Sequence, residues 1–236
     1  MDARVSKSPT RRRPSNARDP ERTRAVILNA AIAEFTSKGL SGARIDHIAK
    51  RAGVNKRMIY YYFTNKEGLY IAVLEETYTA IRTAEIGLNL TGRDPVDGMR
   101  ELVEFTWQYF IDHPEFLGLL ATENFNRARY LKNSRRIREL HSPLIGIISQ
   151  LLDRGARAGV FRSGIDPVQL YITIASLGFF YLSNCHTLST IFGRDLNTRD
   201  ALVERGGHIV EVVFDYLAPQ RKAAAKPRIA AVPDSS

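Results

Sequence analysis

Residues 52–69 read AGVNKRMIYYYFTNKEGL, and this stretch decides the fold. Gly53 stands where a chain can reverse, and Asn55 is a residue type that caps the N-terminus of a helix. A short helix is therefore predicted over 56–62, and Asn65 is predicted to cap a long helix that follows. Cationic and aromatic side chains share the exposed side of this short helix, which is typical of a surface that reads base edges in the major groove of DNA.

Two helices are predicted upstream of this stretch. The first starts at an Asp19 cap with Pro20 in the first helical position, and it ends near Gly39. The second covers about 44–52 and places its apolar residues on one face. Two short helices joined by a glycine-containing turn of about three residues form a helix-turn-helix unit, here between Ala43 and Phe63.

Only helical patterns follow downstream, so the predicted fold class is all-α. Proline and glycine mark the boundaries of further helices, predicted over about 94–113, 114–122, 143–159, 166–184 and 198–217. The predicted organisation is a disordered basic arm, a helix-turn-helix domain, a C-terminal domain for effector binding and dimerisation, and a disordered tail, at 1–18, 19–66, 67–218 and 219–236.

The positive charge of the chain is concentrated near its N-terminus. The whole chain has a net charge of +9, whereas residues 1–66 hold 15 Lys or Arg against 5 Asp or Glu. Without the first 18 residues, 19–66 still hold 9 against 4, so the asymmetry does not come from the arm alone. A basic N-terminal domain on a nearly neutral body favours a polyanion as partner.

Several classes of protein are disfavoured by the sequence. Cys185 is the only cysteine, and neither a signal peptide nor a run of about 18 apolar residues is present, so we expect a cytoplasmic, nucleoid-associated protein without a membrane partner. Nucleophile-elbow, phosphate-loop and metalloprotease motifs are absent, and the histidines are scattered. Cys185 and His186 point about 100° apart on a helix, so no metal site, cofactor or enzymatic activity is expected.

The DNA-contacting residues are predicted from their position on the short helices. Base readout is assigned to Lys56, Arg57, Tyr61 and Tyr62, with Arg57 as the residue for a bidentate contact to guanine. Tyr60 is expected to be buried or to contact only the DNA backbone. A lysine or arginine on a short helix is also often merely solvated. The remaining predicted DNA contacts are the helix cap and two flanking phosphate clamps, namely Asn55, Arg44 and Lys66.

The stretch from Thr23 to Tyr78 resembles the DNA-binding domain of the tetracycline-repressor (TetR) family. The most specific part is the Gly-Val turn, the polar cap, the run Tyr60-Tyr61-Tyr62-Phe63 and the pair Lys66-Glu67. Two positions depart from the family pattern. Arg44 replaces a common threonine, and Arg57 replaces a small residue or proline, which implies a distinct operator sequence.

The resemblance implies a fold of about nine helices in two parts, with a three-helix DNA-binding domain. It also implies a homodimer that binds a palindromic operator in double-stranded DNA, and release by a small-molecule effector. The segments 113–140 and 166–196 are further similar to family members linked to pyrimidine or aromatic-acid catabolism. This similarity implies a small planar effector, with a carboxylate as one option, and control of a catabolic or efflux pathway.

The sequence predicts the effector site less clearly than it predicts the DNA-binding helix. Aromatic side chains in a pocket and in a core look alike in a sequence, and most of them are expected in the core. Basic residues in 127–138 either bind an anionic effector or form a solvated helix face. The alternative function is a ligand-independent architectural DNA-binding protein, which would not need a large aromatic-rich body. The candidate effector-binding residues are Trp107, Phe110, His113, Asn124, Arg127, His141 and Phe180.

Overall fold

The computed structural model describes residues 19–219, apart from the side chains at 138 and 140–142. Within this range all regular structure is helical, in agreement with the predicted all-α class. The predicted basic arm and nearly all of the predicted tail lie outside the described residues. The α-helices are α1 (Pro20–Gly42), α2 (Ile45–Ala52), α3 (Lys56–Phe63), α4 (Lys66–Gly87), α5 (Pro95–Asp112), α6 (Pro114–Phe125), α7 (Arg135–Arg157), α8 (Pro167–Phe192) and α9 (Arg199–Leu217).

Most helix starts lie where the capping residues predict them. The side chains of Asp19, Asp94 and Asp166 accept hydrogen bonds from backbone N–H groups in the first turns of α1, α5 and α8. Each of these caps is followed by a proline, which fits the first helical position because its missing N–H would have no helical partner there. Thr198 caps α9 in the same way. These local signals are therefore confirmed.

The predicted start of α7 at Pro143 is wrong. The helix begins at Arg135, and Pro143 lies inside it. Ser134 provides the actual cap, because its Oγ accepts the N–H of Ile137 and donates to Glu75 Oε1 on α4 at 2.7 Å. This contact with α4 joins residues 59 positions apart, so the sequence pattern around the cap does not reveal it. The ends of α6 and α8 are also later than predicted, at Phe125 and Phe192.

Two hydrophobic clusters make up the core. The first contains the buried faces of α1, α2 and α3 and continues along α4 onto α6, with Ile27, Ile59 and Leu69 fully buried. The second lies among α5, α7, α8 and α9 and includes Met99 and Ile148. Because α4 belongs to the same cluster as the three N-terminal helices, it connects them rigidly to the body. The domain boundary between 66 and 67 stays a prediction.

Helices α8 and α9 leave many large apolar side chains on the surface. Phe180 is 59% exposed and Ile172 is 50% exposed, although both belong to a 26-residue apolar helix. By length and composition α8 would also suit a membrane span. An apolar face of this kind is also typical of a helix that packs against a second protomer. Further exposed apolar residues on the two helices are Val168, Ile191, Phe192, Val203 and Tyr216.

Candidate nucleic-acid interface

The turn between α2 and α3 has the geometry of a helix-turn-helix. Gly53 adopts φ 62° and ψ 30°, the left-handed conformation that glycine takes without a steric penalty. Asn55 then caps α3, because its side-chain oxygen accepts the N–H of Arg57 at 2.9 Å. The predicted role of Asn55 as a helix cap is confirmed. This hydrogen bond fixes the N-terminal turn of α3, which carries the predicted base contacts.

The junction between α3 and α4 fixes the direction of α3 relative to the body. Asn65 caps α4 by accepting the N–H of Gly68 at 2.7 Å. A Cβ atom at Gly68 would overlap the carbonyl oxygen of Phe63, so this position requires glycine. The two helices therefore meet in a close turn, with Phe63 buried beneath them.

The exposed side of α3 carries three of the four predicted base-reading side chains. Lys56 and Arg57 are exposed at its first turn, and Tyr61 is 82% exposed one turn later. Tyr62 is half-buried against the core and packs edge-on against Tyr61 at 5.2 Å. Tyr60 is 43% exposed, so the first of its two expected roles, burial, is wrong, and contact with the DNA backbone alone stays a prediction.

The cationic side chains around α3 differ in whether they have a partner within the protein. Within residues 19–219, no side chain pairs with the guanidinium of Arg57, so this residue can extend into a groove. Lys56 Nζ instead lies 2.8 Å from Asp46 Oδ1 on α2. The hydrogen bond and the charge of Lys56 lower the pKa of Asp46, and Asp46 raises the pKa of Lys56. Lys66 donates to the carbonyl oxygen of Ser41 at 3.3 Å.

Asp46 and Glu34 also shape this surface, although neither is among the predicted site residues. Glu34 is buried on α1 and binds the N-terminus of α2, where Arg44 has no side-chain cap of its own. The Arg44 side chain is consequently left exposed at the edge of the surface. Asp46 stands in the first turn of α2, one acidic residue among cations. The negative charge of Asp46 among cations is visible in the sequence and could have revealed its role. The burial of Glu34 depends on tertiary packing and could not.

The predicted effector-binding residues do not converge on one cavity. Trp107 lines an open groove of about 1120 Å³ between α5 and α9, whereas Phe110 lines a second cavity with residues of α8. His113 is half-buried, with its ring stacked on Tyr109 and its Nδ1 2.9 Å from Glu115. The remaining predicted residues are exposed, namely Asn124, Arg127 and Phe180, while the side chain of His141 lies outside the described residues.

The chain matches known regulators along most of its length. Residues 27–73 match the model for bacterial regulatory proteins of the tetR family, and residues 95–213 match the model for a tetracyclin-repressor-like C-terminal domain. The transcriptional repressor NicS of Pseudomonas putida is 42% identical over 192 residues, which are 81% of this chain and 91% of NicS. The regulator RutR of Escherichia coli K12 is 26% identical, over 85% of this chain and 95% of RutR.

Solved structures show the same fold. The crystal structure of SCO4942 from Streptomyces coelicolor superimposes with a TM-score of 0.63 and 26% identity, and the match covers 83% of this chain and 98% of SCO4942. The two matched segments include the helix-turn-helix and the body, so the resemblance is not confined to the DNA-binding helices. The prediction of a transcriptional regulator and not an enzyme is confirmed, and the chain belongs to the TetR family.

Proposed function

We propose that this regulator is a repressor that binds a palindromic operator as a homodimer and is released by a small-molecule effector. The proposal rests mainly on the exposed face of α3, where Arg57 and Tyr61 project beside Lys56. Arginine at the N-terminal turn of such a helix can bind the O6 and N7 atoms of guanine, and a tyrosine ring can contact a thymine methyl group. Arg44 and Lys66 flank these side chains and are assigned to phosphates.

The surface of α8 and α9 supports a homodimer. Ile172 and Phe180 lie eight residues apart on α8, which places them on similar sides of the helix. Exposed apolar side chains of this size on a soluble chain mark a surface that another protein covers. A second copy of α8 and α9 would bury them and place two α3 helices on one face of the assembly. Two-fold symmetry of the protein then calls for a palindromic operator.

Repression and effector response are supported by the relatives and by the size of the body. NicS is named a repressor, and it aligns with most of this chain. Five helices beyond α4 with a dense aromatic core exceed what DNA contact requires, and this favours a sensor over an architectural protein. We assign the regulator to the cytoplasm, bound to the chromosome, and its target genes to a catabolic or efflux pathway.

Selection of bound sites from random double-stranded DNA tests the proposal. We expect full-length protein to enrich an inverted repeat whose half-sites are separated by whole turns of the double helix. Candidate catabolites are then added to the purified complex, and loss of operator binding is measured. Binding to the random DNA with no sequence enriched would support the architectural alternative and contradict a sequence-specific repressor. Mapping of bound sites in the genome would identify the neighbouring genes.

A further inference from the structure

An ion pair is buried at the end of α4 that is remote from the DNA-binding helices. Arg82 and Glu85 are each only 1% exposed, and Arg82 Nη1 lies 2.8 Å from Glu85 Oε2. The two residues are three positions apart on one helix. Nothing in the DNA-binding surface uses them, since α3 contacts the opposite end of α4.

Two polar atoms of this pair are without a partner in the described part of the chain. Arg82 Nη2 donates to the hydroxyl of Tyr171 on α8 at 2.9 Å. Arg82 Nη1 and Glu85 Oε2 are paired with each other, but among the described residues no partner is found for Arg82 Nε or for Glu85 Oε1. Buried polar atoms without a partner destabilise a fold, so two such atoms in one ion pair indicate a site that binds something.

The chemistry of the pair favours an anion with a hydrogen-bonding group. The arginine keeps its positive charge at all physiological pH values. Burial raises the pKa of Glu85 to about 7, although the charge of Arg82 acts in the opposite direction. The raised pKa of Glu85 favours a protonated carboxyl, which can donate as well as accept a hydrogen bond.

Aromatic rings surround the polar atoms. The guanidinium carbon of Arg82 lies 5.4 Å from the centroid of the Tyr171 ring. Tyr78 and Tyr109 both pack edge-on against Phe116, at 5.3 and 6.3 Å between ring centroids. Burial raises the pKa of Tyr78 and of Tyr109 to about 12, so both hydroxyls stay protonated. A flat aromatic ring fits such walls better than a bulky saturated ring does.

We propose that Arg82, Glu85 and Tyr171 form the receptor for an aromatic monocarboxylate effector. The carboxylate binds the guanidinium through its unpartnered Nε–H, and Glu85 Oε1 binds a polar substituent on the ring. The inference rests on the proposed function, because it places the effector of that regulator. It differs from the sequence-based assignment, in which Trp107 and Phe110 line separate cavities.

The receptor has a direct route to the DNA-binding domain. Arg82 lies on α4, which begins at Lys66, three residues after the end of α3. Leu69 and Tyr70 at the start of α4 are fully buried in the same cluster as the helix-turn-helix. A ligand that separates Arg82 from Tyr171 changes how α4 packs against α8. Because α4 is one continuous helix, a tilt at one end displaces α3 at the other.

Calorimetric titration of the full-length protein without DNA tests the receptor. The probes are benzoate, 2-hydroxybenzoate and 1-naphthoate, with benzamide as the uncharged counterpart of benzoate. We expect at least one acid to bind wild type, and benzamide to bind about 10- to 100-fold more weakly than benzoate, the range for one charge-assisted contact. Arg82→Met is expected to weaken the acids by a similar factor. Failure of all three acids to bind wild type would overturn the proposal, as would equal binding of benzoate and benzamide.

Two further variants keep the test independent of folding. Arg82→Met with Glu85→Gln removes both buried charges together, which avoids a carboxylate left unpaired. Arg205→Met is the matched control, because Arg205 is a half-buried arginine whose Nη2 likewise donates to an oxygen, Leu177 O, and whose Nε has no partner among the described residues. The double variant should lose acid binding and the control should keep it. Unchanged acid binding in the double variant would overturn the receptor.

Operator release separates this inference from the proposed function. If an acid binds through Arg82 and the operator stays bound, the receptor stands and ligand-induced release is wrong. If another compound releases the operator equally from wild type and from the Arg82 variants, the regulator is ligand-responsive and the receptor proposed here is wrong.

Discussion

Glu34 on α1 caps a helix to which it does not belong, because its Oε1 accepts the backbone N–H of Arg44 at 3.1 Å. The same oxygen lies 3.2 Å from His47 Nδ1 in the first turn of α2. A carboxylate near the N-terminus of a helix also interacts favourably with the helix dipole. The arrangement allows Arg44 to occupy a position that normally needs a capping side chain, and it leaves the Arg44 guanidinium available for DNA.

Glu34→Ala should therefore destabilise the DNA-binding domain. The loss of one cap and of its hydrogen bond predicts a decrease of about 1–2 kcal/mol in the free energy of unfolding. Urea unfolding of the full chain measures this change. The control is Glu76→Ala on the exposed side of α4, which should change stability by less than about 0.5 kcal/mol. Equal stability of the two variants would show that Glu34 is not an effective cap.

Asp46→Asn should strengthen DNA binding. In the free protein Lys56 is paired with Asp46 at 2.8 Å, and this negative charge lies beside the surface assigned to DNA. Removal of the charge frees Lys56 for one more phosphate. The slope of log K against log salt should then become steeper by about 0.9, with tighter binding to non-operator DNA at low salt.

The control for Asp46→Asn is Asp153→Asn, an exposed position on α7. This variant has the same change of net charge but lies on the body of the protein. An equal gain in DNA affinity for the two variants would mean that total charge is responsible, and that the pair with Asp46 does not hold Lys56 back.

The DNA-binding helices were predictable because their signals are local. Gly53 and Asn55 act within a few residues of their own positions, through a positive φ and a hydrogen bond to the backbone N–H two residues on. The start of α7 was missed because Pro143 matches a common helix start, while the real cap at Ser134 depends on a contact with α4. Proline within a helix is tolerated when the surrounding packing offsets the lost hydrogen bond.

The buried pair was not predictable from the sequence. Arg82 and Glu85 have the spacing of an ordinary surface ion pair on a helix. Their burial results from α8, whose Tyr171 is 89 residues away from Arg82 in sequence. The candidate effector residues failed to converge for the same reason, because Trp107 and Phe110 are close in sequence but face different cavities. Composition identifies aromatic residues, but it does not show which of them meet.

Arg57→Ala should weaken operator binding by about 1–3 kcal/mol and relax the preference at one base position of each half-site. The reason is that Arg57 stands free at the first turn of α3, where it can reach a guanine. Site selection with the variant measures the preference. Lys50→Ala at the exposed end of α2 is the comparison, and it should leave the sequence preference unchanged. An unaltered preference in Arg57→Ala would move base readout to Tyr61 or Lys56.

Phe180→Glu should convert the dimer to monomers. Phe180 is 59% exposed on α8, and a buried, unpaired carboxylate at its place would destabilise a two-fold contact. Sedimentation equilibrium measures the mass, and operator affinity should fall as the dimer dissociates. The matched control is Phe125→Glu, because Phe125 is 90% exposed at the end of α6 and belongs to neither α8 nor α9. A Phe180→Glu protein that remains dimeric would remove Phe180 from the interface.

Glu85 should make the stability of the protein depend on pH near neutrality. Burial raises the pKa of its carboxyl from 4.5 to about 7 in the folded chain. A group that binds its proton more tightly in the folded chain contributes stability that is complete below its unfolded pKa and is lost as the pH rises through its folded pKa. Between about pH 4.5 and 7 this contribution therefore decreases, by at most about 3 kcal/mol.

The comparison of wild type with Glu85→Gln isolates this contribution. Every other ionisable side chain is present in both proteins, so its contribution cancels in the difference. The groups that face Glu85 are Arg82 on its own helix, Tyr109 on α5 and Tyr171 on α8, and the pKa values of both tyrosines are raised, so neither titrates in this range. Urea unfolding at fixed protein concentration should show that wild type loses more stability than Glu85→Gln between about pH 5 and 8. Parallel pH profiles would mean that Glu85 is ionised throughout, and that its charge is fully compensated by Arg82.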